Sequence, residues 1–243
     1  MSTDRTSGPS SFPSLECKCD VLRLVGYIGI MAKLRGLLKA SHFGPTLIVT
    51  SISFGFAVHY WWEGPAYVIA FGVFTGQLVV GWSNDLYDFD DDLRHQRTNK
   101  PLVSGLITKQ YLEKWLRAMV PFSFVANLLG PLGIRGGLVY MLGIACGVAY
   151  NFYFKFSVLS PLPYAIAFAA LPSSIAISKD ITPPLWMWLG GALLGMAAHF
   201  INVLKDMKED HVSGIKGLPQ RLGTRGSVVA AVVLISVSVL VLL

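Results

Sequence analysis

Seven apolar runs, each near the length needed to cross a bilayer, constrain this chain more than any other feature. They lie at roughly 43–61, 66–83, 114–133, 136–154, 161–178, 184–204 and 227–243. A hydrocarbon core of about 30 Å is crossed by about 20 apolar residues in a helix. Lipid offers no partner to backbone N–H and C=O groups, so only helices and closed barrels satisfy themselves there. A barrel needs strands of about 10 residues that alternate in polarity, and the run from Val228 to Leu243 does not alternate. The chain therefore reads as an all-α, multi-pass transmembrane helical bundle with seven spans. Hydrophobic residues make up 53% of the chain and charged residues 14%, against about 25% charged in an average soluble domain. These values exclude a soluble enzyme, a disordered protein and a coiled coil. Cys17, Cys19 and Cys146 match neither a zinc site nor a disulfide framework.

The flanks divide the chain further. Residues 1–19 are polar, rich in Ser and Pro, and lack the apolar core of a signal peptide, so they read as a disordered cytosolic tail. Residues 20–42 read as a basic amphipathic interfacial helix. Val21 to Ala32 is apolar apart from Arg23 but too short to cross, and it runs into Lys33, Arg35 and Lys39. His42 reads as an interfacial residue, and Trp61 and Trp62 as belt anchors at the outer surface. Residues 43–243 form the transmembrane domain. Its last run reaches Leu243 without a polar flank, and a carboxylate in hydrocarbon is costly, so the natural chain is expected to continue. With the N-terminus inside, 18 of the 20 Lys and Arg residues fall on the inner side, and only Arg135 and Lys179 fall outside. This is the positive-inside bias, and it explains the net charge of +6 without nucleic acid. The expected location is the cell membrane, with the N-terminus and the Asp-rich loops cytosolic.

Chemistry concentrates where two spans end on that inner side. The first cluster runs Ser83-Asn84-Asp85-Leu86-Tyr87-Asp88-Phe89-Asp90-Asp91-Asp92. If the helix continues through it, Asp85, Asp88 and Asp92 share one face. The second holds Asp206 and Asp210, four apart. Clustered carboxylates repel unless something positive lies between them, and a hard divalent cation with oxygen ligands is the natural filler. Mg²⁺ takes only one or two carboxylates per ion and completes its shell with phosphate oxygens and water. Two such clusters facing each other make a cradle for a Mg²⁺-bridged diphosphate, with Arg97, Lys100, Lys155 and Lys205 placed to neutralise remaining oxygens. His199, Asn202, Asp206 and Asp210 follow one another at three, four and four residues, so they form a polar stripe along the sixth span.

These motifs resemble the UbiA superfamily of intramembrane prenyltransferases. Asn84, Asp85, Asp88 and Asp92 match its NDxxDxxxD motif, and Asp206 and Asp210 its second DxxxD motif. RTNKPLVSG resembles its basic-Pro-Leu-x-Ser-Gly segment, KDMKEDHVSGIKGLPQRLG its second loop, and YNFYFK the Tyr/Lys segment ending its fourth helix. The resemblance covers roughly residues 35–243. It implies a bundle of nine helices in the family, a central cavity capped by cytosolic loops, and Mg²⁺-dependent prenyl transfer from a prenyl diphosphate to an aromatic or other lipophilic acceptor. Seven spans here depart from nine. On this reading Asn84, Asp85, Asp88, Asp92, Asp206 and Asp210 hold metal. Asp88, Asp206, Lys155 and Tyr150 are expected to be catalytic. Asn84, Arg97, Lys100, Lys205, His199 and Asn202 are expected to bind substrate. Two alternatives stand beside it: a terpene cyclase on the same scaffold, which needs no acceptor, and a cation-coupled transporter. The transporter is disfavoured because the Asp residues lie at span ends rather than at the bilayer midplane.

Overall fold

Each of the seven apolar runs falls mainly in one helix, the sixth together with a π-turn that leads into it. The computed structural model describes residues 15–242, with side chains from Tyr27 to Val241. Residues 1–14, part of the expected tail, and Leu243 lie outside the described residues. The elements are α1 (Leu15–Ala40), α2 (Phe43–Tyr60), α3 (Glu63–Arg94), α4 (Lys109–Leu129), α5 (Gly133–Phe152), α6 (Pro161–Ile177), α7 (Gly191–Val212) and α8 (Leu218–Leu242). A 3-10 turn (Phe154–Phe156) follows α5, and a π-turn (Trp186–Gly190) leads into α7. Among the described residues there is no strand.

Length explains how the fold presents its site. Helix α3 has 32 residues. At 1.5 Å per residue that is about 48 Å, well beyond the hydrocarbon core of about 30 Å. The excess forms the last turns of α3, and they carry the first acidic motif. The π-turn and α7 together run 27 residues from Trp186 to Val212 and overreach in the same way. By length and hydropathy, four segments are able to cross a membrane: Glu63–Arg94, Gly133–Phe152, Trp186–Val212 and Leu218–Val241. The pair α1–α2 passes only jointly and is bent by 71°. Helix α6 is apolar but has 17 residues. Helix α4 opens on Lys109, Glu113, Lys114 and Arg117, which lowers its hydropathy.

Helix α3 is central, packing against α2, α4 and α5, and the chain continues outward through the pairs α5–α6, α6–α7 and α7–α8. Its apolar window is 67% buried, against 17% for α8 at the edge. Polar and small residues hold these helices together, as expected where burial of apolar surface gives no drive between helices in lipid. Asn127 Nδ2 on α4 donates to Gly72 O at 3.0 Å, and Tyr140 Oη on α5 donates to Val73 O at 2.9 Å. Gly195 on α7 lies so close to α6 that a Cβ there would sit 2.3 Å from Tyr164 O. Helices α3 and α7 are not packed side by side, so their acidic ends meet through the loops that follow them. At the opposite end, Trp61 Nε1 donates to Ser178 Oγ at 3.0 Å, and Lys179 Nζ stands 4.2 Å from the Trp61 ring centroid. Arg135 pairs with Asp180 at 3.1 Å on the same side.

Candidate active site

Because α3 stays helical to Arg94, its acids are arranged by helical spacing. Asp85 and Asp92, two turns apart, are both 2% exposed, and Asp88 between them is half-buried. Buried carboxylates need cations or donors, and three cations from other segments supply them. Lys100 Nζ donates to Asp85 Oδ1 at 2.9 Å and lies 3.8 Å from Asp92 Oδ2. Lys155, buried in the 3-10 turn after α5, is hydrogen-bonded to Asp88 Oδ1 and lies over the Tyr87 ring at 4.7 Å. Arg97 Nη1 donates to Asp92 Oδ1 at 2.7 Å. Burial alone would push the Lys100 ammonium down, but Asp85, with Asp92 and Asp88 behind it, holds it above the ordinary lysine value. Arg97 is likewise held above its ordinary value, with Asp92, Asp91 and Glu209 outweighing burial. Both cations stay charged at physiological pH.

The end of α7 is joined to the end of α3 by Arg97. Arg97 Nη2 donates to Ser213 Oγ at 2.8 Å, and Ser213 Oγ donates to Asp91 Oδ2 at 2.7 Å. Arg97 Nε stands 3.6 Å from Glu209 Oε2. The loop after α3 and the end of α7 are therefore joined by one guanidinium. Asp210 accepts from Gln220 Nε2 at 2.7 Å, while Lys205 and Asp206 are exposed at the rim. Burial pushes the Asp206 and Asp210 carboxyls above the ordinary carboxylate value, against the charges of Lys100 and Lys205 on Asp206 and of Arg97 and Lys155 on Asp210. The Tyr150 ring packs edge-on against Tyr164, with centroids 5.1 Å apart. Beneath it, His199 is 1% exposed, and its Nε2 is 3.0 Å from Ser160 Oγ. Its ring centroid is 5.4 Å from that of Tyr150 and 4.8 Å from that of Tyr164. Asn202, one turn from His199, is exposed.

Among the described residues, no three His, Cys, Asp or Glu side chains converge tightly enough to hold a metal by themselves. The acids are spread, and Lys100, Lys155 and Arg97 occupy the spaces between them. The donor set still suits a hard cation, because every acid offers oxygen. Asp85 Oδ2 is buried with no hydrogen-bond partner, so one carboxylate oxygen is left for a ligand the protein does not itself supply.

Three residues here escaped the sequence reading. His42 Nε2 lies 3.1 Å from Asn84 Oδ1 and 3.4 Å from Asp85 Oδ1, so it belongs to the motif rather than to a lipid interface alone. Asn151, 3% exposed, accepts from Asn84 Nδ2 at 3.2 Å. A lone Asn in an apolar run was the available signal. Ser213 carried no signal beyond its place after the second motif.

The fold and the motifs define a membrane-embedded prenyltransferase class, and the comparisons place the chain within it. Residues 43–243 match the UbiA prenyltransferase family, and the chain belongs to that family. No curated protein matches the sequence. Among solved structures, a UbiA homologue from Archaeoglobus fulgidus bound to DMAPP and Mg²⁺ is 16% identical with a TM-score of 0.71, over 85% of this chain and 76% of that one. The apo structure of a UbiA homologue from Aeropyrum pernix K1 is 19% identical with a TM-score of 0.67, over 82% and 77%. A structure described for digeranylgeranylglyceryl phosphate synthase is 17% identical with a TM-score of 0.65, over 86% and 76%. At these identities the likeness is one of fold.

Proposed function

We propose that this chain is a Mg²⁺-dependent prenyltransferase that moves a prenyl group from a prenyl diphosphate to an aromatic or other lipophilic acceptor inside the membrane. All seven helices α2–α8 cross in this reading. The Asp-bearing ends face the cytosol, and the membrane is the cell membrane. The observation that carries the proposal is the pair of acidic helix ends joined through Arg97, with Asp85 Oδ2 left unpartnered. The Archaeoglobus fulgidus homologue bound to DMAPP and Mg²⁺ supports the same donor class and the same cation here.

Asn84, Asp85, Asp88 and Asp92 from α3, with Asp206 and Asp210 from α7, would hold the metal. Mg²⁺, when bound, supplies positive charge against the diphosphate leaving group. Arg97, Lys100, Lys155 and Lys205 bind diphosphate oxygens, and the first three must exchange their present carboxylate partners to do so. The allylic C–O bond breaks with its electron pair on the diphosphate. The carbon then bonds to the acceptor, which gives up a proton. The Tyr150 ring faces the electron-poor carbon. His199 and Asn202 lie on the acceptor side. The loops at 95–108 and 213–217 exclude the water that would divert the cation to a prenol.

The test is turnover of labelled prenyl diphosphates in membranes with a panel of hydroxylated aromatic and lipid acceptors. Asp88→Asn and Asp206→Asn should each lower transfer by at least about 100-fold with the protein still folded. Full transfer by either variant contradicts the proposal. Products formed without any acceptor would assign a cyclase instead.

A further inference from the structure

Residue His42 sits in the two-residue elbow between α1 and α2, where the chain bends by 71°. Its φ is 52°, a left-handed conformation that a non-glycine residue adopts at a cost. It stands at the N-cap position of α2, yet its side chain caps nothing there. The ring instead reaches α3. The elbow is seated on α3 by two contacts that flank this reach. A Cβ at Gly81 would meet Ser41 O at 2.7 Å, so only glycine lets the two backbones touch. Trp82 Nε1 donates to Leu37 O at 2.9 Å.

The hydrogen-bond chain running from this point fixes where each proton lies. Val80 O accepts only. Asn151 Nδ2 faces it at 3.3 Å, so Asn151 turns its Oδ1 toward Asn84. Asn84 must then present Nδ2, which donates to Asn151 Oδ1 at 3.2 Å and to Asp88 Oδ2 at 3.0 Å. That leaves Asn84 Oδ1 facing His42, and the ring nitrogen 3.1 Å away must be the donor. The same Nε2–H lies 3.4 Å from Asp85 Oδ1.

We propose that His42 is a positioning residue for the first acidic motif: its Nε2–H occupies one lone pair of Asn84 Oδ1 and leans on Asp85 Oδ1. The second lone pair of Asn84 Oδ1 and the partnerless Oδ2 of Asp85 are thereby left for a ligand. Without this donor Asn84 Oδ1 loses its partner on the elbow side, and only Asp88 and Asn151 hold the amide in place. Groups that hold metal ligands in orientation from behind typically matter by 10- to 100-fold in affinity. This inference rests on the proposed function, because it assumes that the motif binds Mg²⁺ and a diphosphate.

The test uses the purified full chain and a non-reactive geranyl thiolodiphosphate, with binding measured by calorimetry across a Mg²⁺ titration. His42→Gly removes the donor but suits the left-handed backbone, so folding is preserved. His42→Gln keeps an N–H at similar reach, and Gln96 already adopts φ 52° in this chain. The expected result is Mg²⁺-dependent binding weakened by about 10-fold or more in the Gly variant and restored to near wild type in the Gln variant. Binding by the Gly variant equal to wild type overturns the inference, as does equal weakening in both variants. Absence of Mg²⁺-dependent binding by the wild type overturns the proposed function instead.

Discussion

Lys100 shows how single residues make this site possible. It is the cation nearest Asp85, which is 2% exposed. Removing it leaves a buried carboxylate uncompensated, a change that typically costs about 3–5 kcal/mol. Lys100→Gln should therefore lower the melting temperature in detergent, and the double variant Asp85→Asn with Lys100→Gln should recover most of the loss. An unchanged melting temperature in the single variant would show that Asp85 is not charged in the fold. At this scale the acidic motifs were legible, because Asp85, Asp88 and Asp92 need only helical continuity to share a face. The pairing of Lys155 with Asp88 was not, since a residue 67 positions away is brought there by the packing of α5 on α3. The contact of His42 with the motif was not legible for the same reason. Its partner Asn84 lies 42 residues on, so the break expected after residue 42 did not show what the ring would reach.

Elements explain how the ends that carry the two motifs are joined. Helices α3 and α7 do not pack side by side, so Arg97 and Ser213 carry the join between their ends. Ser213→Ala removes the acceptor of the Arg97 Nη2 bond and the donor to Asp91. The expected outcome is faster amide hydrogen exchange across 213–217 and a severalfold rise in prenol relative to transferred product. An unchanged product ratio would separate the join from water exclusion. Within the bundle, Gly195→Val should destabilise by about 1–3 kcal/mol, because a Cβ there meets the Tyr164 carbonyl at 2.3 Å. Thermal unfolding in detergent checks it. The seven helices α2–α8 were foreseeable from their apolar runs. Helix α3 was legible only to Ser83 as a span, and the Asp spacing was compatible with its further 11 residues to Arg94 without requiring them.

For the whole molecule, the turns sort to two ends. The turns between α2 and α3, α4 and α5, and α6 and α7 lie at one end, with Arg135 and Lys179. The acidic motifs lie at the other. With 18 of 20 basic residues expected on the motif side, that side should be cytosolic. Single cysteines placed at Thr98 and Lys216 should react with an impermeant thiol reagent only in inverted membranes, and one at Asp180 only in intact cells. Labelling of all three from the same side would overturn the alternating topology.

The most direct measurement is a double-variant cycle on Mg²⁺-dependent binding of geranyl thiolodiphosphate. It compares wild type with Asp88→Asn, Asp206→Asn and the pair combined. If both helix ends grip one metal–diphosphate headgroup, the combined loss should fall well short of the product of the two single losses. Losses that simply multiply, or a single variant that binds as wild type does, would mean that the two motifs do not serve one site.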